Sequence, residues 1–194
     1  LQTRQANSAI VDQSGAANYS YVSQHRSNNL ALVTQTGQDG FSSLKQSQYD
    51  EATVNQGGSN NISNADQGGS RLIAFVDQIG SDNDSGVIQR GSDNEANVDQ
   101  SGSDNTSRID QRVGSFNMAE VLQSGVGNSS KIRQGNNPMP AFDNLATVLQ
   151  TTDNNVADIM QEGSDNTATV NQTVTSGNVS NISQSGSGNT ATTN

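Results

Sequence analysis

NEANVDQSGSD, residues 94–104, is the stretch that decides the fold. Asn94, Ala96, Val98 and Gln100 alternate with Glu95, Asn97 and Asp99. Alternation with period 2 places one set on one side of a strand and the other set on the opposite side. The four residues that follow, Ser101 to Asp104, are turn formers, with Gly102 free to take a positive φ. NTATVNQTV (166–174) has the same frame. A helix is excluded, because a 3.6-residue period does not fit and β-branched residues recur where a strand favours them.

Outward from Gln100 the frame covers the chain. Glutamines fall at Gln13, Gln24, Gln35, Gln46, Gln56, Gln67, Gln78, Gln89, Gln100, Gln111, Gln123, Gln134, Gln150, Gln161, Gln172 and Gln184, and eleven of the fifteen steps are 11 residues. Two residues before each stands Val, Ile or Leu, except at Ala65. Four before is always Ala or Ser. Six before is Asn7, Asn18, Asn29, Asn61, Asn83, Asn94, Asn105, Asn117, Asn128, Asn144, Asn155, Asn166 or Asn178, with Gly40, Asp50 and Leu72 as exceptions, and Asn189 opens a further unit. The unit is N-x-[AS]-x-[VIL]-x-Q-x-G-x-x.

The Ala/Ser position alternates, with Ala in odd strands and Ser in even ones, broken only at Ala157. The true period is therefore about 22 residues: strand, turn, strand, turn. This predicts an all-β fold, a two-stranded-per-rung β-solenoid (a cross-β arch stack). Sixteen strands make about eight rungs, roughly 38 Å of stack on a 4.8 Å strand spacing. The inward set is Asn, Ala or Ser, Val or Ile, and Gln. Buried amides are costly when unpaired. Stacked in register they can bond to their own copies as ladders, so these Gln and Asn residues are the expected structural ladder.

Composition agrees with a thin interior. Only 29% of the 194 residues are apolar and 4% aromatic, whereas 25 Asn and 20 Gln make up nearly a quarter of the chain. Charged residues are 14%, which argues against a charge-swollen disordered polymer. Amide-rich chains are often disordered, but disorder does not keep apolar residues at one register in fifteen of sixteen units. With no Cys and the single His25, no disulfide framework, metal cluster or catalytic dyad is expected. A net charge of −10 argues against nucleic acid. No apolar run reaches the length of a membrane span, no signal peptide is visible, and no cofactor is expected. The 194 residues read as a single domain. The Gln134–Gln150 step carries five extra residues with Pro138 and Pro140, so residues 135–143 are expected to bulge as a loop between rungs. Smaller irregularities lie near Ser47–Tyr49, Arg112–Phe116 and Thr173–Gly177.

The units resemble curlin repeats, the repeats of curli fibre subunits. The connector Q-x-G-x-G-N is complete at Gln123–Asn128 and at Gln184–Asn189, where it runs into Thr190-Ala191. Elsewhere the second Gly is often Asp, as in Gly80-Ser-Asp-Asn83, Gly91-Ser-Asp-Asn94 and Gly102-Ser-Asp-Asn105. The Ser that opens one strand of the family consensus is usually Asn here, and eight rungs exceed the family's common five. The resemblance implies a secreted structural subunit of an extracellular functional amyloid in biofilm matrix. It implies self-assembly, with a related nucleator or major curlin subunit and a curli-type secretion apparatus as further partners. The chain starts and stops inside a unit with no visible cap, so both ends of the solenoid are expected to be open to head-to-tail stacking.

Outward positions vary, as on a solvated face, with Ile73 and Phe75, Leu30 and Leu32, and Leu145 and Leu149 as apolar pairs. Asp82, Asp93, Asp104 and Asp165 occupy equivalent turn positions. Bonding to their own backbone is the plain reading there, and calcium ligation the alternative. A monomeric β-solenoid of ice-binding or adhesin type would need a regular outward Thr array, and T-A-T occurs only at 167–169 and 190–192. No nucleophile-and-base arrangement appears, so no enzymatic activity is expected.

Overall fold

The computed structural model describes residues 6–135 and 140–194. Two parallel sheets face each other, built from alternate strands of the chain. The first sheet stacks β1 (Ser8–Gln13), β3 (Leu30–Gln35), β5 (Glu51–Ser59), β7 (Ile73–Ser81), β9 (Glu95–Ser103), β12 (Met118–Gln123), β15 (Leu145–Gln150), β17 (Thr167–Gln172) and β19 (Thr190–Thr193). The second stacks β2 (Tyr19–Gln24), β4 (Phe41–Gln48), β6 (Ile62–Ser70), β8 (Asp84–Gln89), β10 (Thr106–Gln111), β13 (Ser129–Gln134), β16 (Val156–Ser164) and β18 (Val179–Ser187). The fold is the all-β solenoid of about eight 22-residue turns that the periodicity implies. The stretch after Asn189 adds β19 as a ninth strand of the first sheet.

Register follows the repeat. Like pairs with like across rungs: Ala74 with Ala96, Val76 with Val98, Gln78 with Gln100. A slip by one residue would turn every inward side chain outward. The core is thin, formed by the Ala and Val columns of the first sheet and by Leu44, Ala65, Val87, Ile109, Ile132, Ile159 and Ile182 of the second. Ala65, the one small residue in its column, is the register partner of Leu44, so a large and a small side chain share two rungs. The rung of β1 and β2 is more open: Val11 is 45% exposed, whereas Val33 one rung on is fully buried.

Turns are fixed by two backbone demands. Gly58 and Gly80 have φ of 95° and 115°. A Cβ on Gly58 would lie 1.9 Å from the Gly80 carbonyl oxygen, and one on Gly80 would lie 2.0 Å from that of Gly102. Each glycine leaves room for the carbonyl of the next rung. The second demand falls on the residue just before the inward Asn, which is left-handed in turn after turn: Asn60, Asp82, Asp93, Asp104, Asn154 and Asp165 have φ of 55–58°. Asn and Asp tolerate this region best after Gly, which explains the turn Asp residues. Ala17, Tyr49, Arg71 and Phe116 adopt it too.

The irregular stretches are absorbed in the turns. Register shifts between Gln46 and Gln48, where the chain is one residue short. Within 135–143, the described part rejoins the stack: β14 (Ala141–Phe142) pairs with Gly163–Ser164 on one side and with β11 (Gly114–Ser115) on the other. Pro138 lies outside the described residues.

Candidate functional site: the amide ladders

The sixteen inward glutamines form two columns, each amide donating to the next rung. In the first sheet Nε2 of Gln13, Gln35, Gln56, Gln78, Gln100, Gln123 and Gln150 donates to Oε1 of the following glutamine, ending at Gln172, over 2.5–2.9 Å. In the second sheet Gln24, Gln46, Gln67, Gln89, Gln111, Gln134 and Gln161 do the same up to Gln184, over 2.8–3.2 Å.

The glutamines from Gln24 onward also reach across the interior. Gln56 Nε2 donates to the carbonyls of Phe41 and Asn61, both at 3.0 Å, besides Gln78 Oε1 at 2.8 Å. Gln78 repeats this with Ile62 and Asn83. Two protons thus serve three acceptors, one bond being shared. The side chain that joins rungs also fastens one sheet to the other, a role that the repeat pattern did not announce.

The asparagines bond in the opposite sense. Asn83 Nδ2 donates back to Asn61 Oδ1 at 3.2 Å, and Asn83 Oδ1 accepts from Nδ2 and the backbone N–H of Asn105 at 3.1 and 3.2 Å. Nδ2 also closes its own turn by donating to the carbonyl four residues back, as Asn61 does to Gly57 at 2.8 Å, and reaches the next rung at Gly80. Asn128–Asn155–Asn178 continue this column. The other column holds Asn7–Asn29 and Asn94–Asn117–Asn144, then Asn166–Asn189, with the Asn166 N–H donating to Asn144 Oδ1 at 2.8 Å. Asn18 ends at Gly40, whose N–H it accepts at 2.9 Å.

The exceptions at the Asn position show what it does. Asp50 is 1% exposed. Its Oδ1 accepts the Leu72 N–H at 3.1 Å, and its Oδ2 accepts the N–H groups of Ser47 and Gln48 at 2.9 and 3.2 Å. In the turn one residue short, amide protons point inward where carbonyls otherwise would, so a carboxylate fits and an amide NH2 does not. Burial nevertheless pushes the Asp50 carboxyl above its ordinary range, against the lowering effect of those N–H groups. Leu72, fully buried, interrupts the polar column with an apolar plug.

Other polar groups are peripheral. Asp77 is raised by burial and by its register partner Asp99, and Asp84 by burial. Asp93 is held below the usual range by Arg71 at 2.6 Å, an exposed pair. Asp82, Asp93 and Asp104 lie in successive turns on alternating edges of the stack, and Asp165 in a later one. His25 lies on the surface 3.4 Å from Ser23 Oγ. The buried hydroxyls of Ser42, Ser63, Ser85, Ser107 and Ser130 find no partner within the described residues. Copies one rung apart stand too far from each other to bond at the strand spacing.

The family described as curlin associated repeat matches residues 5–37, 91–125 and 143–173, together 99 of the 194 residues. No curated protein matches the chain.

Proposed function

The chain belongs to the curlin repeat family, and on that premise we propose that it is the structural subunit of an extracellular, curli-like amyloid fibre of the biofilm matrix. The observation that carries the reading is the pair of unbroken glutamine columns in parallel, in-register sheets. An identical rung set above or below continues every bond of such a column, because donor and acceptor already stand at the strand spacing. Copies stack head to tail, the last rung of one templating the first of the next. The chain reaches the cell surface by a curli-type secretion apparatus, and a related nucleator or major subunit joins the same stack. Its work is mechanical rather than catalytic.

The test is assembly after removal of denaturant. Fibres that bind thioflavin, give a reflection at about 4.7–4.8 Å along the axis and seed fresh chain are expected. Replacing Gln13 or Gln184 is expected to slow seeded elongation more than replacing the outward Asp12 or Ser183. A folded chain that stays single at high concentration and ignores seeds would overturn the reading.

A further inference from the structure

The two outer faces of the stack differ in charge. Among the described residues, outward positions of the first sheet hold Asp12, Glu51, Asp77, Glu95, Asp99 and Glu120 and no Lys or Arg. Every described Lys and Arg lies on a strand of the second sheet or in the turn leaving it. Acids occur there too, and three of them are matched: Arg90 pairs with Asp66 at 2.8 Å, Arg112 with Asp110 at 2.6 Å, and Arg133 with Asp158 at 3.1 Å, while Asp84 on β8 and Glu162 on β16 have no ion pair among the described residues. Arg108 stands at the far limit of an ion pair with the same Asp110, 3.9 Å. Lys131, its register partner, has no ion pair among the described residues.

The two charges stand at one height. Glu95, Asp99 and Glu120 belong to β9 and β12, and Arg108 and Lys131 to β10 and β13, which complete the same two rungs. Met118 and Leu122, each 39% exposed, add apolar area beside the acids. Stacks lying side by side with rungs level would bring the uncompensated carboxylates of one against the surplus cations of the next. Such a contact joins two different faces, so it does not close and can repeat from stack to stack.

We propose that the acidic face of the first sheet docks on the Arg108–Lys131 face of the second sheet of a second copy, rungs level, so that stacks associate sideways into ribbons. The fibre reading supplies the scale of the ribbon, but the docking faces belong to the folded solenoid itself.

Three variants test this: Glu95→Lys with Glu120→Lys, Arg108→Glu with Lys131→Glu, and all four together. Circular dichroism checks that each folds. Ribbon width is read by electron microscopy, and seeded elongation by thioflavin fluorescence. Wild-type ribbons are expected to separate into single stacks as salt rises from about 0.01 M to about 1 M and the screening length falls from about 30 Å to about 3 Å. Each single-face variant leaves two faces of like sign and is expected to lower lateral association at least about threefold at low salt, with little change in elongation. The fourfold variant restores complementarity with signs exchanged and is expected to regain ribbons, which a merely damaged fold would not. Ribbon width that ignores salt and both single-face variants overturns the proposal, as does failure of the fourfold variant to recover. If wild-type chain folds but forms no fibres, the fibre reading falls. Sedimentation of the same four proteins as solenoids then tests the docking by itself, self-association in wild type and fourfold variant supporting it and its absence refuting it.

Discussion

The rungs from β8 to β13 and the stretch from Gly40 to Leu72 share strands and core but not turns. In the first, Asn83, Asn94, Asn105 and Asn117 all hold the position six before glutamine. In the second, that position is Gly40, Asp50, Asn61 and Leu72. The glutamine columns pass through both. Gln35, Gln56 and Gln78 bond over 2.7 and 2.8 Å, while Gln46, Gln67 and Gln89 stretch to 3.2 and 3.1 Å beside the shortened turn. The difference separates two kinds of amide. Glutamine spans the interior and has no substitute within the sixteen units. Asparagine completes a turn, and a turn of another shape accepts a carboxylate, a leucine or no side chain at all.

The largest expected effect follows from breaking the uninterrupted column. Gln78→Ala removes an acceptor from Gln56 and a donor from Gln100, Ile62 and Asn83, and it opens a cavity. Its cost is expected to be about 3–5 kcal/mol, read as a fall in the urea midpoint of the folded chain. Asn83→Ala, in the same rung, is expected to cost about 1–3 kcal/mol. Equal losses at the two positions would erase the distinction between them.

Acidity probes the interrupted stretch. The Asp50 carboxyl titrates above its unfolded value because of burial, so the folded state binds the proton more readily. Its contribution to stability is then full below the unfolded pKa and is lost as pH rises through the folded one. Asp77 and Asp84 act in the same direction, while the exposed Asp93 acts oppositely. Urea resistance is expected to rise as pH falls from neutrality toward the ordinary carboxylate range, and to rise less in Asp50→Asn. That variant should also be weaker at neutral pH, since its NH2 would face the N–H groups of Ser47 and Gln48. The smallest effect is expected from Ser85→Ala. The hydroxyl is buried without a partner, so its loss should be neutral or stabilise by up to about 1 kcal/mol. Ala157, in register with Ser130 and Ser180, already fills this position in one rung.

The strands, their pairing and the inward set were legible because a period of 2 leaves little freedom once glutamine recurs every 11 residues. Turn chemistry was less legible. The left-handed position before each asparagine is announced by Asp82 or Asn60 but hidden by Phe116 and Arg71, since there the stack imposes a backbone that the side chain does not favour. The return of Ala141 to the sheet was hidden because a backbone ladder does not depend on side-chain type. The role of Asp50 depends on one missing residue in a turn, which changes whether N–H groups or carbonyls point inward. The bonds of glutamine across the interior could not be read from spacing along the chain.

The opposed bonding of the two amides has a further consequence. The stack carries an arrow: each glutamine amide donates to the glutamine of the following rung, whereas each stacked asparagine amide donates to the asparagine of the preceding one. Inverting one stack against another would meet donor with donor in one kind of column and acceptor with acceptor in the other. A broken piece of the solenoid, however short, therefore keeps the heading of the whole, and a compound shaped to block one broken surface would find the wrong chemistry on the other.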